Sequence, residues 1–194
     1  THAGDLLREE STCDSTERLV RIIRENALRL DRMVTDVLEL SRRDRGRPEE
    51  LPLREFVETF VEQFVQAEKI PPGSVHVDVP RAMRVRCDRE HLHRIVWNLC
   101  RNAWRHCSHG HESVRISANC DYARIELRVA DNGPGVPEQL VGQLFEPFFT
   151  TYSGGTGLGL YIARELCAAN GAELVYAGQS GGAVFSIQWP AKLQ

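Results

Sequence analysis

A chain of 194 residues with 42% hydrophobic and 26% charged content is long enough for one sizeable core plus a small accessory element. Its net charge of −3 excludes a strongly basic surface, so sequence-independent nucleic-acid binding is not expected. No apolar run approaches the roughly 18–20 residues of a membrane helix, and no signal peptide is visible. The expectation is a cytoplasmic chain with no membrane segment of its own, although preceding segments can still supply an anchor. Six scattered cysteines without a CxxC pair suit reduced, mostly buried thiols.

Residues 1–10 resemble the last turns of a helix, and the small polar residues 11–15 predict a turn after it. A long helical pattern follows, in which Leu19, Ile22, Asn26, Leu30, Met33, Val37 and Leu40 recur at spacings of three and four. One apolar stripe does not stabilise a helix alone. A helical hairpin that dimerises into a four-helix bundle is therefore expected over residues 1–43. Residues 44–52 carry charge and proline without apolar periodicity and read as a linker. The arginines at 42, 43, 45 and 47 read as part of this solvated linker rather than as a binding patch.

From residue 53 to 194 the pattern becomes mixed. Residues 53–69 are amphipathic, with Phe56, Val57, Phe60, Val61 and Phe64 on one side, and Pro71, Pro72 and Gly73 end the helix. Residues 75–79 and 83–87 alternate as short strands. Asp88 is placed to cap a helix reaching about Cys107. Residues 114–119 and 122–130 predict a β-hairpin, 158–170 a helix stopped by Gly171, and 174–177 and 183–189 two last strands. Strands gathered in an antiparallel or mixed sheet with helices on one face make an α+β, two-layer sandwich.

Three separated elements carry chemistry. Asn98 and Asn102 are four apart on one helix and face the same way. Asparagine is a mediocre helix former, and its carboxamide oxygen is a ligand suited to Mg²⁺ beside nucleotide phosphates. Arg105 and His106, a turn further on, are within reach of phosphate or ribose. Taken alone, the stripe also fits a polar face open to water. Next come Asp131, Asn132, Gly133, Pro134 and Gly135, directly after a strand. They place an acid at the mouth of the sheet, where a carboxylate can accept a hydrogen bond from an exocyclic amine such as adenine N6; by themselves they are also simply a turn. The third element, Gly154 to Leu160 (Gly-Gly-Thr-Gly-Leu-Gly-Leu), opens a helix and exposes backbone N–H groups to an anion. It is neither a Walker A loop nor a dinucleotide fingerprint, since no Lys-Ser/Thr follows and no strand precedes. Cys100, His106, Cys107, His109 and His111 are residue types of a zinc site, but their spacing is not that of a zinc finger. An apolar Cys100 with polar histidines at a helix end is the plainer reading.

In this order the elements resemble the nucleotide-binding domain of sensor histidine kinases, of the superfamily shared with Hsp90-type chaperones, gyrase and MutL. Residues 98–106 resemble the N box, 131–135 the first glycine box, Phe145-Glu146-Pro147-Phe148-Phe149 the F box and 155–160 the second glycine box. Gly181 to Phe185 resembles the last glycine turn, and Leu38-Glu39-Leu40-Ser41-Arg42 the end of a dimerisation and phosphoacceptor hairpin. The wording Glu-Pro-Phe-Phe-Thr-Thr and Tyr-Ile-Ala-Arg-Glu-Leu is similar to that of nitrogen-regulatory and type IV pilus sensor kinases. The resemblance implies a Bergerat-type sandwich that binds Mg-ATP. Asp131 would bind the adenine amine, Asn102 would ligate Mg²⁺, Asn98 would support the metal or phosphate region, and Arg105 would assist catalysis. His106, Gly133, Gly135, Phe148, Thr151, Gly155, Thr156, Gly157, Leu158 and Gly159 would complete the ATP site. Residues 138–156 would form a mobile ATP lid anchored by Phe148 and Phe149.

Two departures stand out. The family's phosphoacceptor histidine lies in a His-Glu-type motif that is expected before Thr1, because the neighbours of His2 do not match it. The chain alone is therefore not expected to phosphorylate itself. Tyr152 stands where the family usually carries lysine before the second glycine box, which shifts phosphate binding onto Arg105 and the loop amides. The resemblance implies phosphoryl transfer from ATP to a histidine, relay to a response-regulator aspartate, and a homodimer through the hairpin. Two alternatives are a non-catalytic ATP-binding and dimerisation module, and an ATP-hydrolysing member of the superfamily. The second requires a glutamate where Asn98 stands.

Overall fold

The computed structural model describes residues 2–40, 46–152, 154–179 and 181–190. Helix α1 (His2–Leu40) runs for 39 residues without interruption. The turn predicted over 11–15 is therefore corrected to helix. That segment contains no Gly or Pro, and Ser, Thr and Asp cost only tenths of a kcal/mol each inside a helix. Residues 2–40 thus form one helix and not a hairpin. Its heptad stripe is largely uncovered: Leu19, Leu30 and Val37 are exposed, and Asn26 Nδ2 donates within the helix to the Ile22 carbonyl at 2.8 Å.

The linker expected over 44–52 is also shorter. Residues 49–52 form strand β1 (Glu49–Pro52), antiparallel to β3 (Arg84–Cys87), with Leu51 opposite Val85 and fully buried. A single apolar residue between glutamates and prolines carries no readable period, so the strand becomes visible only once its partner is known. Helix α2 (Leu53–Glu68) buries Leu53, Phe56, Val57, Phe60 and Phe64. It stops at Lys69, whose left-handed φ of 52° turns the chain before the prolines are reached.

The main sheet has five strands in the order β2-β4-β5-β7-β6. They are β2 (Val75–Asp78), β4 (Val114–Cys120), β5 (Arg124–Asp131), β6 (Glu173–Gln179) and β7 (Gly182–Pro190). Only the β2–β4 pair is parallel. Val114, Ile116, Leu127, Val129, Phe185 and Ile187 join the core shared with the helices. Glu126, Arg128, Ser186 and Gln188 form a polar network in which Glu126 accepts from Ser186 and Gln188 and pairs with Arg128 at 2.6 Å. Apolar and polar residues thus alternate along β5 and β7, and the result is the expected two-layer α+β sandwich.

Helix α3 (Arg89–His106) buries Leu92, Ile95, Val96, Leu99, Cys100 and Ala103 on one stripe. A second stripe beside it, at 98, 101, 102 and 105, stays polar. Helix α5 (Gly159–Ala169) buries Ile162, Ala163, Leu166 and Cys167 and packs beside α3. Asp88 fastens the two helices and the incoming chain together. Its Oδ1 accepts from the His91 amide at 3.0 Å and its Oδ2 from the Arg47 amide at 2.6 Å, while its own N–H donates to Asn170 Oδ1 at 2.8 Å.

Burial opposes ionisation of Asp88, but the His91 and Arg47 amides overcome this and hold its carboxyl below the ordinary 3.8. A depressed folded value gives stabilisation that is present above the unfolded pKa and is lost as pH falls through the folded one. Asp88→Ala is expected to cost about 1 kcal/mol at neutral pH, and less as pH falls below 3.8. Urea denaturation across that range checks this; a loss that does not change with pH would contradict it.

Candidate functional site

Between α3, the start of α5 and the end of β5 lies a cavity of about 390 Å³, inside the range of small-molecule sites. Asn98, Asn102, Arg105, His106, Asp131, Gly135, Thr151, Gly155, Thr156, Gly157 and Gly159 all line it. The three sequence elements therefore converge on one space although they are spread along the chain from residue 98 to residue 159.

Asp131 ends β5 opposite Val114 of β4 and is 9% exposed. Its Oδ1 accepts from the amides of Gly133 at 2.9 Å and Ala183 at 3.3 Å. Both contacts use the same oxygen, which leaves Oδ2 for a donor in the cavity that Asp131 lines. Asn132 turns the other way: its carboxamide bonds the Ser108 amide and hydroxyl, each at 3.0 Å, tying this turn to the end of α3. Gly133 does not line the cavity. A Cβ there would strike the His106 carbonyl, so glycine is what lets the turn close against α3.

Asn98 and Asn102 present their carboxamides to the cavity from the polar stripe of α3. A Cβ on Gly159 would lie 3.1 Å from Asn98 Oδ1, which shows how closely the start of α5 approaches α3. Helix α5 has no side-chain cap at its N-terminus, so its first amides remain available to an anion. Leu158, expected in the site, is its N-cap residue and is buried in the core at 2% exposure. Its backbone shapes the loop while its side chain faces away. Gly157 has φ +72°, and a side chain there would collide with the backbone of Phe148.

The aromatic residues between 138 and 156 are arranged differently from expectation. Phe148 is 62% exposed, has φ 67° and does not line the cavity; Phe149 does. Phe145 of the same segment packs on the core, edge-on to Phe185 at 6.4 Å and with the Arg164 guanidinium 5.6 Å from its ring centre. Backbone packing of Phe148 against Gly157 turns its ring outward. A short helix, α4 (Glu138–Val141), was also not foreseen. Val136, Leu140 and Leu144 follow one another four residues apart and form an apolar wall of the cavity. That spacing was the available signal, obscured by Pro134, Pro137 and Gly142.

Charge at the site is mixed. Arg101 pairs with Glu68 at 3.6 Å, and the Arg105 guanidinium lies over the Tyr152 ring. His106 sits below the ordinary imidazole range, first through partial desolvation and then through Arg105, against the pull of Asp131, so it is neutral at pH 7. Asp36 of α1 also lines the cavity and accepts a hydrogen bond from Thr156 Oγ1 at 3.1 Å. Nothing in the spacing of the long helix marks that residue. Among the described residues no group of three or more His, Cys, Asp or Glu could hold a metal ion, and Cys100 is fully buried in the core. No helix among them is long and apolar enough to cross a membrane.

A sandwich with this cavity defines a nucleotide-binding domain of the ATPase type. Residues 87–193 match the histidine kinase-, DNA gyrase B-, and HSP90-like ATPase family, and the chain belongs to it. Over its whole length it is 36% identical to the sensor protein kinase PilS of Pseudomonas aeruginosa, and it spans 38% of that relative. The catalytic domain of histidine kinase ThkA matches 74% of this chain and 95% of its own, with 29% identity and a TM-score of 0.63. Full-length ShkA in complex with AMPPNP matches 83% of this chain and 35% of its own, with 25% identity and a TM-score of 0.67. The chain is thus a histidine kinase-type ATPase domain, homologous to sensor histidine kinases.

Asp36 places a carboxylate at the rim of a nucleotide cavity, where a triphosphate is repelled. Asp36→Asn is expected to tighten ATP binding roughly threefold or more in metal-free, low-salt buffer, and the gain should shrink as salt rises. Calorimetric titration checks this; unchanged affinity at low salt would count against it.

Proposed function

We propose that this chain is the catalytic portion of a two-component sensor kinase that binds Mg-ATP and passes the γ-phosphoryl group to a histidine outside residues 1–194, for relay to a response-regulator aspartate. The observation that carries the reading is the pair Asn98 and Asn102 on one cavity wall, facing the uncapped start of α5 and the carboxylate of Asp131. The binding of AMPPNP by the solved relative ShkA supports ATP as the ligand. In this reading residues 1–43 belong to a helical dimerisation element, 44–52 connect it, and 53–194 form the catalytic unit. The uncovered stripe of α1 supports a homodimer.

Each residue has a task that follows from its chemistry. Asp131 Oδ2 accepts from the adenine amine, while Val136, Leu140 and Leu144 cover the apolar part of the nucleoside. The loop amides from Gly155 to Gly159 and the Arg105 guanidinium take the phosphate charge. The carboxamide oxygens of Asn102 and Asn98 are hard donors that fit Mg²⁺. When bound, the metal would neutralise phosphate charge, which is the main catalytic requirement of phosphoryl transfer. A hydrolase of this superfamily needs a carboxylate at position 98 to activate water. Asn98 is not a base, which favours transfer over hydrolysis.

Asp131→Asn keeps the size of the side chain but loses the charged acceptor and is expected to weaken Mg-ATP binding by about 10- to 100-fold, the worth of one hydrogen bond to a charged group. Calorimetry checks this, and a parent chain that binds no Mg-ATP would sink the proposal. Asn102→Ala is expected to bind ATP in EDTA as the parent does while losing the gain on adding Mg²⁺; an intact gain would remove Asn102 as a ligand. A longer chain that carries the His-Glu-type motif should form acid-labile, base-stable phosphoprotein, whereas steady ATP hydrolysis without it would point to the hydrolase.

A further inference from the structure

The Arg105 guanidinium lies 4.5 Å from the centre of the Tyr152 ring, over its face. Both side chains line the cavity, Arg105 from the rigid α3 and Tyr152 from the loop that leads into the glycine run. The seat of the ring is built locally. Thr150 Oγ1 accepts from the Tyr152 amide at 3.1 Å and donates to the Tyr152 carbonyl at 3.2 Å, and the Gly155 amide donates to that carbonyl at 2.9 Å. A Cβ at position 154 would come within 2.8 Å of the Tyr152 ring, so Gly154 is what leaves it room.

A cation over an aromatic face is attracted by the ring quadrupole. A guanidinium held over a ring face loses swing while keeping its N–H donors. Arg101, the neighbouring cation, is drawn toward Glu68 instead. Tyr152 brings no charge to the cavity, yet it fixes the residue that does.

We propose that Tyr152 is a positioning residue that holds the Arg105 guanidinium at the phosphate end of the cavity. Seating of the loop and orientation of the arginine become one event, because one partner stands on the loop and the other on the helix. This deepens the reading of the cavity as an ATP site and rests on it.

The test compares ATP and adenosine binding by calorimetry in the parent, Tyr152→Ala, Tyr152→Phe, Arg105→Ala and the Tyr152→Ala/Arg105→Ala double variant. Tyr152→Ala should weaken ATP about three- to fivefold, the effect of losing one exposed cation–π contact. It should leave adenosine unchanged, and Tyr152→Phe should bind ATP as the parent does. In the Arg105→Ala background, removing the tyrosine should cost nothing more. An equal loss for adenosine, a Tyr152→Phe as weak as Tyr152→Ala, an undiminished loss in the double variant, or no loss at all would overturn the proposal. In the ligand-free chain, the Arg105 Nε proton should show an upfield ring-current shift by NMR that Tyr152→Phe keeps and Tyr152→Ala removes. A parent that binds no ATP overturns both readings but leaves this shift in place. A parent that binds ATP without the shift overturns only the role of Tyr152.

Discussion

The carboxylate of Asp131 is where the sheet, the glycine turns and the cavity are registered to one another. It ends β5 between the first residues of β4 and β7, and one of its oxygens draws in the amides of Gly133 and Ala183. One of these amides lies on the turn after β5 and the other near the start of β7. Burial makes the arrangement strict, because an acceptor that is 9% exposed and already holds two donors is costly to displace. The acid therefore serves two ends at once: one oxygen orders the protein and the other faces the cavity. Glycine at 133 and 182 follows from the same constraint, since a Cβ at either position would strike backbone, of His106 and Asp131 respectively.

The second wall depends on how near two helices can come. Helix α3 shows an apolar stripe to the sheet and a polar one, beginning at Asn98, to the cavity. Helix α5 comes so near that polar stripe that a Cβ at Gly159 would sit tightly, at 3.1 Å, against Asn98 Oδ1. Leu158 then plugs the core under the loop, so that the glycine run is pinned toward its C-terminal end both by burial and by the contact of Gly157 with Phe148. Precision in the anion-facing amides thus comes from packing beneath them rather than from a cap on the helix.

What could be read beforehand depended on whether a signal was local. Asp88 as a cap, the apolar face of α2 and the strand leading to Asp131 each announce themselves within a few residues, and the structure has them there. The convergence of Asn98, Asp131 and Gly157 was reached through family resemblance, since no spacing along the chain encodes it. β1 escaped notice because its one buried residue, Leu51, makes sense only opposite Val85. Phe145 rather than Phe148 packs on the core, and the backbone of residue 148 lies against Gly157, nine positions away in the chain. The turn predicted at 11–15 rested on composition alone, and mild propensities yield to helix-favouring neighbours on both sides.

Asp36 shows what such non-local contacts imply for control. The cavity is lined by two arginines and two aspartates. Of these, Arg101 is engaged by Glu68, and Asp131 is spoken for by amides and by its role toward a base. Arg105 lies over the Tyr152 ring and Asp36 accepts from the Thr156 hydroxyl, so all four charged side chains meet the cavity already held by protein partners. Asp36 differs from the others in belonging to α1, which meets the rest of the fold through α5, the Thr156 hydroxyl and Met33 packed against the core. To the extent that this carboxylate opposes a polyanion in the cavity, a bound polyanion must oppose the contact between α1 and the loop by the same free energy. The Asp36–Thr156 hydrogen bond is thus one point at which the position of the long helix bears on the cavity.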